Sequence, residues 1–123
     1  MKADATLKMP DIIIVDNSIS LADLKELAKQ RFGDMVKGVV DVEKSVMAVG
    51  GELHADEEAL LLEQGSKQDD LWGFNIYIDQ SPDTWLEFNS MINIRPSQNN
   101  PSRDIQSDEM KNKVTEIVNR LVK

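Results

Sequence analysis

Leu71-Trp-Gly-Phe-Asn-Ile-Tyr-Ile-Asp79 and, beyond Ser81-Pro82-Asp83, Trp85-Leu-Glu-Phe-Asn-Ser-Met-Ile-Asn-Ile-Arg95 decide the fold class. Trp72, Phe74, Ile76 and Ile78 alternate with Leu71, Gly73, Asn75, Tyr77 and Asp79. Leu86, Phe88, Ser90, Ile92 and Ile94 alternate with Trp85, Glu87, Asn89, Met91, Asn93 and Arg95. A period of two with one apolar face is the mark of a half-buried strand. Pro82 stands at a favoured turn position. The two runs therefore predict an antiparallel hairpin. Its second face carries Asn75, Tyr77, Trp85, Asn89, Met91, Asn93 and Arg95, half polar and half aromatic.

Outward from the hairpin, Asp11–Asp16 is a β-branched run that predicts a short buried strand. Ser20 with Asp23 three residues on is a variant capping box, and Ile19 and Leu24 are spaced for a hydrophobic staple. A helix is expected over 20–32, with Gly33 just past its end. Met35, Val36, Val39 and Val40 suggest a second short helix over 35–42, and 44–49 reads as a strand ended by Gly50-Gly51. Glu52–Gly65 is ambiguous. Its acidic start and closing glycine suit a helix, whereas Leu60-Leu61-Leu62 between two turns suits a buried strand over 58–64. Hairpin economy favours the strand. Met110, Val114, Ile117, Val118 and Leu121 make one face of a final helix near 105–122.

The expected order is β-α-α-β-β-β-β-α. It describes an α+β domain: a mainly antiparallel sheet of four to five strands with helices packed on one face. With 123 residues the chain is one domain by size, read as a flexible leader over 1–10 and a single domain over 11–123.

No run of 18 apolar residues occurs, so no membrane span is expected. No cysteine is present, which removes disulfides, thiolate nucleophiles and Cys-ligated metals, and a cytoplasmic location is the default expectation. The net charge is −8. Residues 1–88 hold 8 basic and 18 acidic side chains, and residues 89–123 hold 6 basic and 4 acidic. Such an acidic chain repels a phosphate backbone, so general nucleic-acid binding is not expected. A local anion site in the mildly basic C-terminal part is compatible with the numbers.

Three constellations bear on function. The first is the polar connection Arg95-Pro-Ser-Gln-Asn-Asn-Pro-Ser-Arg103. Arg95 and Arg103 suit an anion, with Ser97, Gln98 and Asn99 as neutral donors. The competing account is that these side chains tie down their own loop. The second is His54 with Asp56, Glu57 and Glu58, a general base or an acidic turn. The third is Tyr77, Trp85 and Met91 with Asn93, an aromatic sheet face fit for a homodimer or a protein partner. No phosphate-cradling loop, nucleophile elbow or metal-ligand spacing is present, so no cofactor and no metal are expected.

Arg31–Lys37, Gly51–Glu63, Gly65–Gly73 and Ser90–Gln98 together resemble a family of small bacterial proteins of unknown function. The resemblance implies one free-standing domain in a bacterial cytoplasm and carries no activity, cofactor or catalytic residue. The residues themselves favour a non-enzymatic interaction or ligand-binding module that homodimerises through the sheet face, with Arg95 at its rim. The alternative is a small hydrolase or transferase acting on an anionic small molecule, with His54 or a carboxylate as base and Arg95 and Arg103 as substrate holders.

Overall fold

A computed structural model describes residues 12–123. The expected leader over 1–10 lies outside the described residues.

Strand β1 (Ile13–Val15) leads to helix α1 (Leu21–Arg31), then to β2 (Met35–Asp41) and β3 (Val46–Val49). Helix α2 (His54–Glu63) follows, then β4 (Leu71–Tyr77), the two-residue β5 (Leu86–Glu87) and helix α3 (Asp108–Leu121). The sheet order is β1-β3-β2-β4-β5, and every neighbouring pair is antiparallel. The fold is α+β with a five-stranded antiparallel sheet and three helices.

Two segments exchange the roles expected of them. Residues 35–41 form the central strand, not a helix. A central strand is covered on both faces, so apolar residues appear on both sides and the alternation disappears. Val36 and Val40 pack on the α1/α3 face and Val39 on the other. Gly38 is required there, because a Cβ would fall onto the Phe74 ring. Residues 54–63 form a helix, not a strand. β3 and β4 both run antiparallel to β2 and flank it, so they are parallel to each other. A parallel connection must cross a face of the sheet, and a helix makes that crossing. Its buried residues are His54, Glu57 and Leu61, two of them ionisable, so hydropathy alone could not show the stripe.

The main core lies between the sheet and two helices. Leu24, Leu27 and Ala28 of α1 and Val114, Ile117, Val118 and Leu121 of α3 meet Met47, Val49, Trp72, Phe74 and Ile76. α2 lies on the opposite face over a smaller cluster of Val39, Ala48, Leu61 and Leu71. Helices thus cover both faces rather than one. Ser20 caps α1 through the Asp23 N–H, as the sequence suggests, and Gly33 takes a φ of 94° just past the helix end. Ser107 caps α3, which starts at Asp108 rather than near the expected 105. Ile105 enters the core ahead of it, fully buried.

The strand expected over 85–95 ends at Glu87. At Gly73 the chain of Ser90 comes so close to β4 that a glycine Cβ would lie 2.7 Å from Ser90 Cβ and Oγ. The backbone then turns through a short 3-10 segment, Met91–Asn93, with Ser90 Oγ accepting the Ile92 N–H. The fully buried Asn93 side chain replaces the missing strand. Its Oδ1 accepts the Gly73 N–H at 2.8 Å and its Nδ2 donates to the Gly73 carbonyl at 3.0 Å. The same Nδ2 reaches the Arg103 carbonyl at 3.1 Å.

Asn93→Ala leaves the buried Gly73 N–H and carbonyl without partners, and a buried orphan costs about 1–3 kcal/mol each. A loss of about 3 kcal/mol in urea unfolding is expected. Asn93→Asp does not rescue it, because an ionised carboxylate has no hydrogen to give Gly73. A loss below about 1 kcal/mol for the alanine variant contradicts the strand-replacement account.

Candidate functional site

His54 is the first residue of α2 and is buried, 7% exposed. Its Nε2 lies 2.9 Å from the Phe74 carbonyl of β4. A carbonyl only accepts, so Nε2 carries the hydrogen and Nδ1 keeps the lone pair of the neutral ring. Burial pushes the imidazole pKa below its ordinary 6.5, against the opposing Phe74 hydrogen bond, and the positive charges of Lys37 and Arg103 lower it further. A neutral, oriented imidazole at pH 7 is the result.

His54 lines a cleft of about 280 Å³ with Lys37, Arg103, Asn89 and the apolar Leu53, Ala55, Met91 and Ile92. Each group arrives from a different element. Lys37 projects from β2 on the Val39 side, opposite Val36 and Gly38. Ile92 is brought over the α2 face by the Ser90 turn and packs on the smaller core cluster. Arg103 is held at the far end of the polar connection, where its own carbonyl accepts from Ser90 N and Asn93 Nδ2. Leu53 and Met91 are 58% and 66% exposed and form an apolar rim. Two cations, a neutral base and an amide thus stand around an apolar hollow.

The polar connection divides between binding and scaffolding. Arg95 does not enter the cleft. Its Nε donates to the Ile92 carbonyl at 3.0 Å and its Nη1 to the Gln68 carbonyl at 2.8 Å, while Nη2 donates to the Leu71 carbonyl. The guanidinium stacks on Trp72, 4.6 Å from the ring centroid. Burial lowers its pKa. It is an internal tie, and the expectation of Arg95 as an anion holder is corrected accordingly. Gln98 accepts from Arg95 Nη1 and donates to the Asp69 carbonyl. Arg95 and Asn100 exchange backbone hydrogen bonds around Pro96–Gln98, and Asn99 closes the turn at a φ of 61°. Ser97 stays exposed. Asn100 Nδ2 donates to the carbonyls of Asn93, Ser102 and Asp104, and its Oδ1 accepts the Gln106 N–H.

The aromatic sheet face is not assembled as expected. Trp85 is 5% exposed, belongs to the main core and donates from Nε1 to Asn119 Oδ1 of α3. Tyr77 donates its hydroxyl to Glu87 at 3.1 Å. Met91 rims the His54 cleft instead. The reason is the shortness of β5: alternation extrapolated over eleven residues applies to two. Lys37, Asn89 and Leu53 were not among the expected site residues. Lys37 becomes visible once 35–41 is read as a strand, since it then falls opposite Val36 and Gly38.

Glu57, one turn after His54, is wholly buried. Its Oε2 accepts the Gly51 N–H at 2.8 Å, while Oε1 has no hydrogen-bond partner among the described residues. Burial pushes its pKa well above the ordinary 4.5, opposed by the Gly51 N–H and by Lys37. Among the described residues no acidic or imidazole cluster fits a metal ion.

A raised folded pKa means that the unfolded chain loses this proton first. The stability Glu57 contributes is full below pH 4.5 and is lost as pH rises through the folded value. His54, with a lowered pKa, works in the opposite sense, so the Glu57→Gln variant isolates the effect. Relative to wild type, the variant gains stability with rising pH, at up to about 1.4 kcal/mol per pH unit. Parallel stability–pH curves for the two proteins contradict the buried neutral carboxyl.

Comparison with curated proteins and with solved structures finds no match to the chain. A family model described as a protein of unknown function, DUF5674, matches residues 13–121. That match takes in every strand and helix of the fold, so the chain belongs to the DUF5674 family.

Proposed function

We propose that the domain is a ligand-binding module whose His54 cleft takes a small anion with an apolar body. The observation that carries this reading is Lys37, Arg103 and a neutral His54 on one apolar-walled cleft, in a chain of net charge −8. Cations concentrated against the overall charge select for an anion locally. Leu53, Met91 and Ile92 supply the surface for an apolar body. Asn89 adds a neutral amide. A carboxylate or phosphate ester on an alkyl or aromatic body meets all of these groups together.

The oriented imidazole supports a second reading, a hydrolase or transferase acting on the same kind of anion. His54 Nδ1 is then the base, and Arg103 holds substrate with Lys37 in the place expected of Arg95. Geometry of this kind is what proton abstraction needs. Phenyl phosphate separates the two readings: it binds in both, and it releases phosphate only in the second.

Titration with octanoate and with phenyl phosphate by calorimetry is expected to show saturable binding that weakens as salt rises. Arg103→Ala and Lys37→Ala each lose about tenfold or more in affinity, the usual scale for a hydrogen bond to a charged group. Unchanged affinity in both variants overturns the reading.

The pH response has a defined sign. A bound anion favours the imidazolium, so it raises the His54 pKa from its lowered value. Affinity therefore increases as pH falls through the window between the bound and free pKa values. NMR of the His54 ring follows the shift directly. His54→Gln, whose amide can still reach the Phe74 carbonyl, is expected to remove the pH dependence while keeping part of the affinity.

A further inference from the structure

We propose that a basic groove between the β2–β3 turn and the C-terminal half of α3 docks an acidic peptide segment of a partner protein, one whose carboxylates are separated by neutral and apolar residues. The groove consists of two adjoining hollows, of about 220 Å³ and about 390 Å³, that share Ser45 and Arg120. None of its lining residues borders the His54 cleft.

Four cations border the groove and reach it from separate parts of the chain. Lys44 comes from the β2–β3 turn, Lys113 and Arg120 from α3, and Lys123 from just beyond that helix. The turn is fixed by Asp41, whose Oδ1 accepts the Glu43 and Lys44 N–H groups at 2.9 Å and whose carbonyl accepts the Ser45 N–H. Ser45 is held at a φ of 59°, a region that residues with a side chain occupy at a cost. The Lys123 N–H donates to the Ile19 carbonyl at 2.8 Å, which fixes the chain beyond α3. Lys113 and Arg120 stand two turns apart on one stripe of α3, about 10 Å along its axis. Among the described residues none of the four cations forms an ion pair, whereas Arg31 meets Glu52 and Lys111 meets Asp104. A cation in the last turn complements the helix dipole, which accounts for Arg120 alone. It does not account for Lys44, Lys113 and Lys123 around the same groove. The net charge of the chain is −8, so this is a positive region set against the whole, and it attracts a negative partner locally.

Two carboxylates on the wall decide what kind of anion fits. Glu116 lies between Lys113 and Arg120 on α3, and Asp16 borders the second hollow. A polymer with a charge on every unit, such as a nucleic acid, sets some of its phosphates against Glu116 and Asp16. A peptide can instead place its carboxylates at the cations and neutral residues opposite the two acids. Val42 and Ile117 border the first hollow, are 8% and 6% exposed, and so keep a little apolar surface for a side chain between the carboxylates. An extended peptide advances about 3.3 Å per residue, so carboxylates about two to four residues apart come within reach of both Lys113 and Arg120. The Ser45 hydroxyl makes no hydrogen bond to the described residues and adds a neutral donor where the hollows join.

The test is fluorescence anisotropy on the whole chain with a labelled peptide of glutamate and leucine residues spaced by glycine. The same peptide with glutamine for glutamate and a single-stranded oligonucleotide of similar length are the comparisons, and backbone NMR locates the contact. The expected result is saturable binding of the acidic peptide that weakens as salt rises. Resonances around Ser45, Lys113 and Arg120 shift, and the glutamine peptide does not bind. Arg120→Glu is expected to weaken binding about tenfold, because it sets a like charge against the ligand. Glu116→Gln is expected to strengthen it. Both positions are exposed, so the fold is retained, and thermal unfolding of each variant verifies this. Four results overturn the proposal: no saturable binding of the acidic peptide, equal binding of the glutamine peptide, oligonucleotide binding at least as tight at the same residues, or shifts confined to Asn89, Met91 and Arg103. The last would place the peptide in the His54 cleft, and none of the four depends on whether that cleft binds a small anion.

Discussion

The pairing of the Asn93 carboxamide with both backbone groups of Gly73 governs the outer half of this molecule. β4 needs a partner along its free edge, and β5 supplies one for only two residues. An amide side chain presents a donor and an acceptor on one plane, so it can stand in for a strand residue where the backbone has turned away. The turn depends on a close approach that only glycine permits. Ser90 packs directly over Gly73, and any side chain on residue 73 would push it off. Once the backbone leaves the sheet, Met91 and Ile92 are free to cover the α2 face, and the connection up to Arg103 must be held by something other than a strand ladder. Arg95 and Asn100 hold it, through carbonyls on β4, on the 3-10 segments and on the loop itself.

A second constraint comes from topology. Because β3 and β4 flank β2 in the same direction, the chain between them has to traverse the sheet. α2 does so through Leu61, which meets only Val39, Ala48 and Leu71 as fully buried apolar partners among the described residues, edged by the partly buried Ile12, Ile14, Val46 and Ile92. So small an apolar area leaves room for polar groups in the seam, and His54 and Glu57 occupy it. Both are shifted by burial toward their neutral forms. A helix seated by neutralised ionisable groups is held less tightly than one seated by leucines, since each neutral form is conditional on pH.

The strand beginning at Leu71 could be read because Gly73, Asn75 and Tyr77 interrupt its apolar residues at every second position, although the structure buries both of its faces, and the α1 caps and the α3 stripe could be read because their polar and apolar positions separate cleanly. The same logic misread 35–41, where both sides are buried and the valines fit a helix as well as a strand. It misread 54–63, where the buried side holds a histidine and a glutamate. Periodicity reports the contrast between faces, and where that contrast vanishes it cannot choose. The site was legible only in part. His54 and Arg103 stood out as chemistry, and both line the cleft. Lys37 was hidden by the helix reading, and Arg95 looked like a ligand holder because a sequence does not show how many carbonyls a guanidinium will meet. The polar crowding of 95–100 is mostly loop architecture, as the abundance of Asn and Ser in turns would suggest.

One segment borders hollows on both faces of the sheet. Ser90, Met91, Ile92 and Arg103 face the His54 side, and Gln98, Asn99 and Asn100 face the Trp72 side. Between them lie Asn93 and Arg95, buried and joined to β4. The two sides differ in charge as well as in place: Lys37 and Arg103 border one, and no ionised side chain borders the other. A ligand that pulled Arg103 inward would act on the same backbone that Asn93 Nδ2 anchors at the Arg103 carbonyl. The Arg103 carbonyl, Asn93 and Gly73 thus form one continuous hydrogen-bonded tie between the connection and β4.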